Sequence, residues 1–273
     1  MGASGETDAM RKEAFIVQPS DQDPLNRAQP SSSQATGTGT TVVPNTLKDE
    51  VRVATAPREG FLTASFVWMF LGVLLSAAAA AFLWANPTLQ QRVVELWLPL
   101  LIGQIALVFA IGILITRIPS LVALGLFFLY ALTMGLVIGV VVLAYAETIG
   151  LSGVVSAFLG ASAIFGGAAV YGAVTKRDLT SLRGLLFMGL IGLVVVMLVQ
   201  VFFFADWTVL SLGIGILGVV IFTGLTAWDV QRIKNGQLAG VNAESSSVLG
   251  ALALYLDFVN LFLFMLRIFG SSR

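Results

Sequence analysis

Histidine and cysteine are both missing from this chain of 273 residues. Their absence excludes disulfides, thiolate nucleophiles, zinc sites built on Cys or His, and any triad with an imidazole base. No imidazole can titrate near neutral pH, so a response to pH would have to come from carboxylates in an unusual setting. Charge is scarce as well: 11% of the residues are charged, against about 25% in ordinary soluble domains. The formal net charge is zero, which gives no electrostatic reason to expect nucleic acid as a partner. There is no phosphate loop, nucleophile elbow or zincin motif. No enzymatic activity and no resident cofactor are expected.

What the chain has in excess is apolar surface. Hydrophobic residues make up 57% of it and the mean hydropathy is +0.92. A soluble fold needs a largely polar exterior and could not hide so much, so a bilayer is the expected solvent. The few charges are crowded toward the start, where residues 1–59 hold eight of the fifteen acids and six of the fifteen bases. Residues 29–41 are Ser, Thr, Gly, Gln and the like, with no large apolar side chain. Such a segment cannot form a core and reads as a disordered tail over 1–59. Residues 1–13 contain no apolar run of the secretory-signal kind.

A membrane span needs about 20 mostly apolar residues. Seven stretches qualify: 61–84, 96–116, 121–145, 151–174, 185–205, 209–228 and 248–269. Asn86-Pro87, Arg117 with Pro119, Glu147, Lys176-Arg177-Asp178 and Asp206 separate them. The runs are apolar all round rather than alternating, so helices are expected and not a barrel. The expected fold is therefore all-α, a seven-helix transmembrane domain over 60–273. Small residues recur at Gly135-xxx-Gly139, Ser162-xxx-Gly166 and Gly189 with Gly192. They would permit close helix contacts, although glycine is common in membrane helices anyway. Trp84, Trp97, Tyr145 and Trp207 lie near span ends, as an aromatic belt requires. Lys and Arg collect on the tail and the even-numbered loops, which predicts a cytoplasmic N-terminus. Arg267 and Arg273 fall on the other side and leave open a re-entrant last segment.

Two carboxylates stand out. Asp257 is set among Leu252–Leu256 and Phe258–Phe264, with Asn260 three residues on along the same helix face. An ionisable group at such depth costs several kcal/mol unless it is paired, solvated or protonated. Asp229 follows Trp228 at the end of span six, about one and a half turns inside if the helix runs to Lys234. Span seven returns antiparallel from near Val248, so the two carboxylates reach similar depths and could meet. Two adjacent carboxylates cannot both ionise cheaply; they can share a proton or take a cation such as Ca²⁺, which prefers oxygen ligands. The plainer alternative is a structural hydrogen-bonding Asp257 and an interfacial Asp229. Gln104 in span two and Gln200 in span five are polar enough to bond across helices. Thr175 to Asp178 reads as a solvated loop. An intramembrane aspartyl protease would suit two aspartates, but Leu254-Tyr255-Leu256 stands where its Gly-x-Gly should precede Asp257.

Four stretches carry a resemblance: Tyr171-Gly172 with Thr175-Lys176-Arg177-Asp178-Leu179; Phe222-Thr223-Gly224-Leu225-Thr226-Ala227-Trp228-Asp229; Gln231-Arg232-Ile233-Lys234; and Gly250-Ala251-Leu252 through Leu254-Tyr255-Leu256-Asp257-Phe258-Val259-Asn260-Leu261-Phe262. In this order they resemble the Bax inhibitor-1 family of membrane proteins, in its bacterial branch, over about Phe61 to Arg273. The resemblance implies seven helices with the last one central, and a pH-sensitive calcium leak gated by an aspartate pair whose matching positions are Asp229 and Asp257. In some members of that family a basic residue in the second helix pairs with the carboxylates; here that span offers only Gln104 within it and Arg117 at its end. Three functions follow as expectations. The first is a proton-regulated cation leak, with calcium ions as cargo held in passing by Asp229 and Asp257. The second is a membrane regulator that binds a protein partner such as a membrane-anchored protease or stress-response factor. The third is a proton-coupled transporter, for which no polar substrate lining or broken-helix pair is visible. The expected location is a bacterial inner membrane.

Overall fold

A computed structural model describes residues 59–203, 208–238 and 243–271. The tail expected over 1–59 lies, but for Glu59, outside the described residues, as do Asp206, Trp207 and Arg273. Among the described residues seven helices follow one another: α1 (Glu59–Trp84), α2 (Pro87–Glu95), α3 (Trp97–Leu114), α4 (Ser120–Val174), α5 (Thr180–Phe203), α6 (Thr208–Lys234) and α7 (Ala243–Ser271). The described residues contain no strand. Six of the helices are long and apolar enough to cross a membrane; α2 is not. Pro87 starts α2, where its fixed φ suits the first turn and its missing N–H goes unused. Pro99 is likewise tolerated in the first turn of α3.

Helix α4 holds 55 residues, well over twice what one crossing takes. It is broken at Gly150, where φ is 75° and ψ is 164°, a conformation open to glycine and costly for any residue with a Cβ. The ring contacts show what the break does. Phe128, before it, packs edge-on against Trp68 at 6.2 Å, and Phe165, after it, packs edge-on against Phe66 at 6.4 Å. In one straight helix those two phenylalanines would be about 55 Å apart. Here they meet α1 within a single turn of each other, so the chain doubles back at Gly150. The two halves coincide with the separate runs 121–145 and 151–174 expected from hydropathy.

Helix α7 lies at the centre. Within its apolar stretch 67% of the residues are buried, against 6% in α5 and 11% in α3. It is nevertheless the least hydrophobic of the six, with a mean hydropathy of 2.0. In a bilayer the lipid tails are as apolar as any core, so hydrophobicity does not draw a helix inward. Polar groups do, because nothing in lipid satisfies them. The Ser65 hydroxyl of α1 donates to the Ser247 carbonyl at 3.0 Å, and Ser76 of α1 meets the Tyr255 hydroxyl at 2.6 Å. Tyr255 packs edge-on against Phe127 and Tyr130 of the first half of α4. Phe258 does the same with Phe158 and Phe165 of the second half, and Phe264 tilts against Phe222 of α6. The central helix is thus sheathed by α1, both halves of α4, and α6, with α5 reaching it at Arg267. The resemblance implied a last helix surrounded by all six others. Here α3 packs on α4 instead and stands outside the sheath.

The small-residue pairs divide. A methyl group on Gly135 would strike the Ser76 backbone of α1, and one on Gly139 would come within 2.9 Å of Leu83 Cδ2, so this pair does bring two helices together. Gly189 faces Ile221, but Gly192 and Gly166 face open space, and the Ser162 hydroxyl bonds only its own helix at Phe158. Gly135→Ala is therefore expected to cost about 1–3 kcal/mol by forcing α1 and α4 apart. Gly192→Ala should leave stability unchanged or slightly raised, since alanine is the better helix former. Thermal unfolding of the purified variants checks both; equal melting temperatures would show that the close approach is not a constraint.

Candidate functional site

The register of α6 against α7 follows from three contacts. Gly250 packs on Ile233, Gly218 on Phe264 and Gly215 on Ile268. The helices run antiparallel, and this register places Thr226 opposite Asp257. Asp229 then lies one turn, about 4.5 Å along the axis, nearer the end of the bundle that carries Lys234. That offset is the one expected from the span ends, about one and a half turns for Asp229 and two and a half for Asp257. The two carboxylates still lie within electrostatic range of each other.

Both are buried, with 8% of Asp229 and 4% of Asp257 exposed. Asp229 faces Arg232, three residues on along α6, at 3.6 Å. The Arg232 guanidinium lies 5.1 Å from the ring centre of Trp228, and Arg183 of α5 lies 5.5 Å from the same ring. The indole therefore holds two cations beside the carboxylate. Asp257 is placed differently. Its neighbour is the hydroxyl of Thr226, a residue with no exposed surface, while its Oδ2 has no partner at all. The Thr226 hydroxyl also lies 2.7 Å from the Phe222 carbonyl. A hydroxyl carries one proton. A charged Asp257 must draw that proton away from Phe222, whereas a protonated Asp257 can donate to Thr226 and leave the helix bond intact. The hydrogen-bond pattern here depends on proton count.

The remaining expected residues are not brought to the pair. Asn260 is half-buried and donates to the Leu256 carbonyl of its own helix at 2.8 Å. Gln104 is buried in α3 with its Nε2 unpartnered, but α3 packs on α4 and not on α6 or α7. Arg117 is exposed in the turn after α3. Neither is brought to the carboxylates; the cations beside Asp229 are Arg232 and Arg183. Arg232 was within reach of sequence reasoning, because residues three apart on a helix are neighbours. Arg183 carried no such signal. Gln200 does bond across helices, to Arg267, whose Nε also donates to Ser211 at 3.0 Å. No group of three acidic, His or Cys side chains gathers among the described residues. Calcium takes six to eight oxygens, more than two carboxylates and a hydroxyl supply by themselves.

Residues 58–273 match the family model described as inhibitor of apoptosis-promoting Bax1. The chain is 40% identical over 216 residues to an uncharacterised protein of Deinococcus radiodurans, covering 78% of this chain and 90% of that one. It is 35% identical over 228 residues to the inner membrane protein YbhL of Escherichia coli K12, covering 80% and 95%. An uncharacterised membrane protein of Streptococcus pyogenes is 40% identical over 156 residues.

The geometry makes opposite demands on the two aspartates. Asp257→Asn removes the mutual repulsion at constant volume, so this variant is expected to melt no lower than the parent. Arg232→Gln leaves Asp229 without its nearest cation, and should cost about 1 kcal/mol, a modest figure because Arg232 is partly solvated. Thermal unfolding of both variants in detergent decides it. A lower melting point for Asp257→Asn would show that the carboxylate itself is a structural bond.

Proposed function

We propose that this chain, which belongs to the family of inhibitors of apoptosis-promoting Bax1, is a proton-sensitive cation leak of the bacterial inner membrane, with calcium ions as its cargo. It is a multi-pass membrane protein; in this reading it crosses seven times, α4 twice, with the N-terminus and the Lys234 end of the bundle cytoplasmic. One observation carries the proposal: two buried carboxylates a turn apart, on the central helix and its neighbour, one of them with an oxygen that nothing satisfies. A cost of that kind in a membrane interior points to a functional group.

The mechanism follows from the charges around the pair. Asp229 faces Arg232 on its own helix, Arg183 from α5 and Asp257 from α7. While Asp229 is charged, Arg232 is held across it and stacked on Trp228, and α6 lies closed against α7. Beyond Asp257 the path is filled by Leu261, Phe264 and Leu266. A proton on the pair removes the charge that retains Arg232 and lets Thr226 keep its bond to Phe222. Loss of the Asp229 charge also releases Arg183 of α5, so α6 is freed on its α5 side to shift against α7, and a cation arriving from either side then exchanges with the proton at the carboxylates. No bond chemistry is asked of any residue in this reading.

Calcium entry into dye-loaded liposomes containing only the purified chain tests this. Flux is expected to increase as the pH falls from about 8 to about 6, and to lose that dependence in Asp229→Asn and Asp257→Asn. Empty-liposome flux from folded protein would sink the leak and favour a regulator that acts by binding a membrane-bound protein partner.

A further inference from the structure

A second polar site lies at the same end of the bundle, away from the aspartate pair. The loop joining α4 to α5 and the C-terminal end of α6 enclose a basin of about 360 Å³. Lys176, Arg177 and Lys234 line it, with Asp178 as the one acid. We propose that this basin binds a phosphate group.

The charge balance favours an anion. Lys234 donates to the Ala173 carbonyl at 2.5 Å, which leaves two of its three N–H groups free. Among the described residues Lys176 and Arg177 pair with no acid, so neither charge is already spent. The Asp178 carboxylate is turned to its own helix, where it accepts from the Thr180 N–H at 2.9 Å. Hydrogen bonds from Thr180 hold its carboxyl below the usual carboxylate range. It is therefore a fixed helix cap that weakens the site without closing it. An Arg fork beside ammonium groups is the donor set that phosphate oxygens match best.

The basin is also built before any ligand arrives. Gln231 is buried, and its side-chain amide clamps the loop from below. It donates to the Arg177 carbonyl at 2.8 Å and accepts from the Leu179 N–H at 2.9 Å. Thr175 Oγ1 accepts from the Arg177 N–H at 3.2 Å. On the other wall the turn that follows α6 passes through Gly236, with φ of 64°, and the Gln237 N–H bonds back to the Arg232 carbonyl at 3.0 Å. A loop fixed on both sides pays little ordering entropy on binding. Basic pockets between helices at a membrane face take lipid headgroups, and free phosphate presents the same oxygens.

The test uses the purified full chain in a neutral detergent, with its melting temperature followed as ligand is added. Phosphatidylglycerol, phosphatidylcholine and inorganic phosphate are compared, with chloride matching the ionic strength. A saturable rise with phosphatidylglycerol but not phosphatidylcholine or inorganic phosphate assigns the site to a lipid headgroup; a rise with inorganic phosphate assigns it to free phosphate. In either case Lys176→Gln and Arg177→Gln should each weaken the response by about fivefold. Asp178→Asn, which preserves the cap, should strengthen it by a similar factor. The proposal is overturned if neither phosphate source shifts the parent, or if the three variants respond as the parent does. None of these readouts involves ion flux, so the outcome is independent of whether the chain leaks calcium.

Discussion

A hydrocarbon interior offers no partner to a polar side chain, and α7 carries Asp257, Asn260 and Arg267. Each must therefore be satisfied by protein, and together they cover about 15 Å of the helix, roughly half the thickness of the hydrocarbon core. A helix that is polar through half of that depth cannot face lipid there, so it stands inside. That explains why the least hydrophobic of the long helices is the most buried. The sheath follows from this placement. The serines of α1 bond to α7, the doubled α4 packs aromatic rings on it from both halves, and α6 lies close where Gly215 and Gly218 admit the side chains of Ile268 and Phe264.

The polar groups of the central helix fall into two stations. Asp257 meets Thr226 and the neighbourhood of Asp229, while Arg267 meets Gln200 and Ser211. They are ten residues apart, about 15 Å along the axis, and apart from Asn260 the side chains between them are apolar and mostly buried. One station is acidic and the other basic, and a dry layer separates them. On the leak proposed above, an ion would pass such a layer only if α6 and α7 part, so the gate would be a movement between these two helices and not a fixed pore. The glycines that let them approach also leave few interlocking side chains to resist that movement.

The basic end of the bundle is organised by side chains that answer backbone groups. Lys234 and Gln231 satisfy the carbonyls of the chain around the end of α4, and Asp178 satisfies the N–H group at the start of α5. These bonds tie the end of α6 to the loop between α4 and α5. Arg232 lies between Gln231 and Lys234, and Asp229 within about one and a half turns of both, so a movement of the loop bears on the helix that carries the proposed gate.

The amino-acid sequence by itself settled the solvent and the spans, because about 20 consecutive apolar residues state a local preference that no distant contact reverses. It also singled out Asp257, whose cost is visible from its immediate neighbours, and Gln200, a polar group with no water at hand. The tertiary structure alone decided which faces meet. Gly135 and Gly166 sit in similar patterns, yet one touches α1 and the other touches nothing. Gln104 and Arg117 belong to the span that suggested a latch, yet that span packs outside the sheath, and the cations near Asp229 come from α5 and α6. The physical reason is the same throughout. Choice of solvent is a sum over one segment, whereas register and neighbour are set by many weak packing contacts between segments far apart in the chain, none of which is large enough to leave its own mark on the sequence.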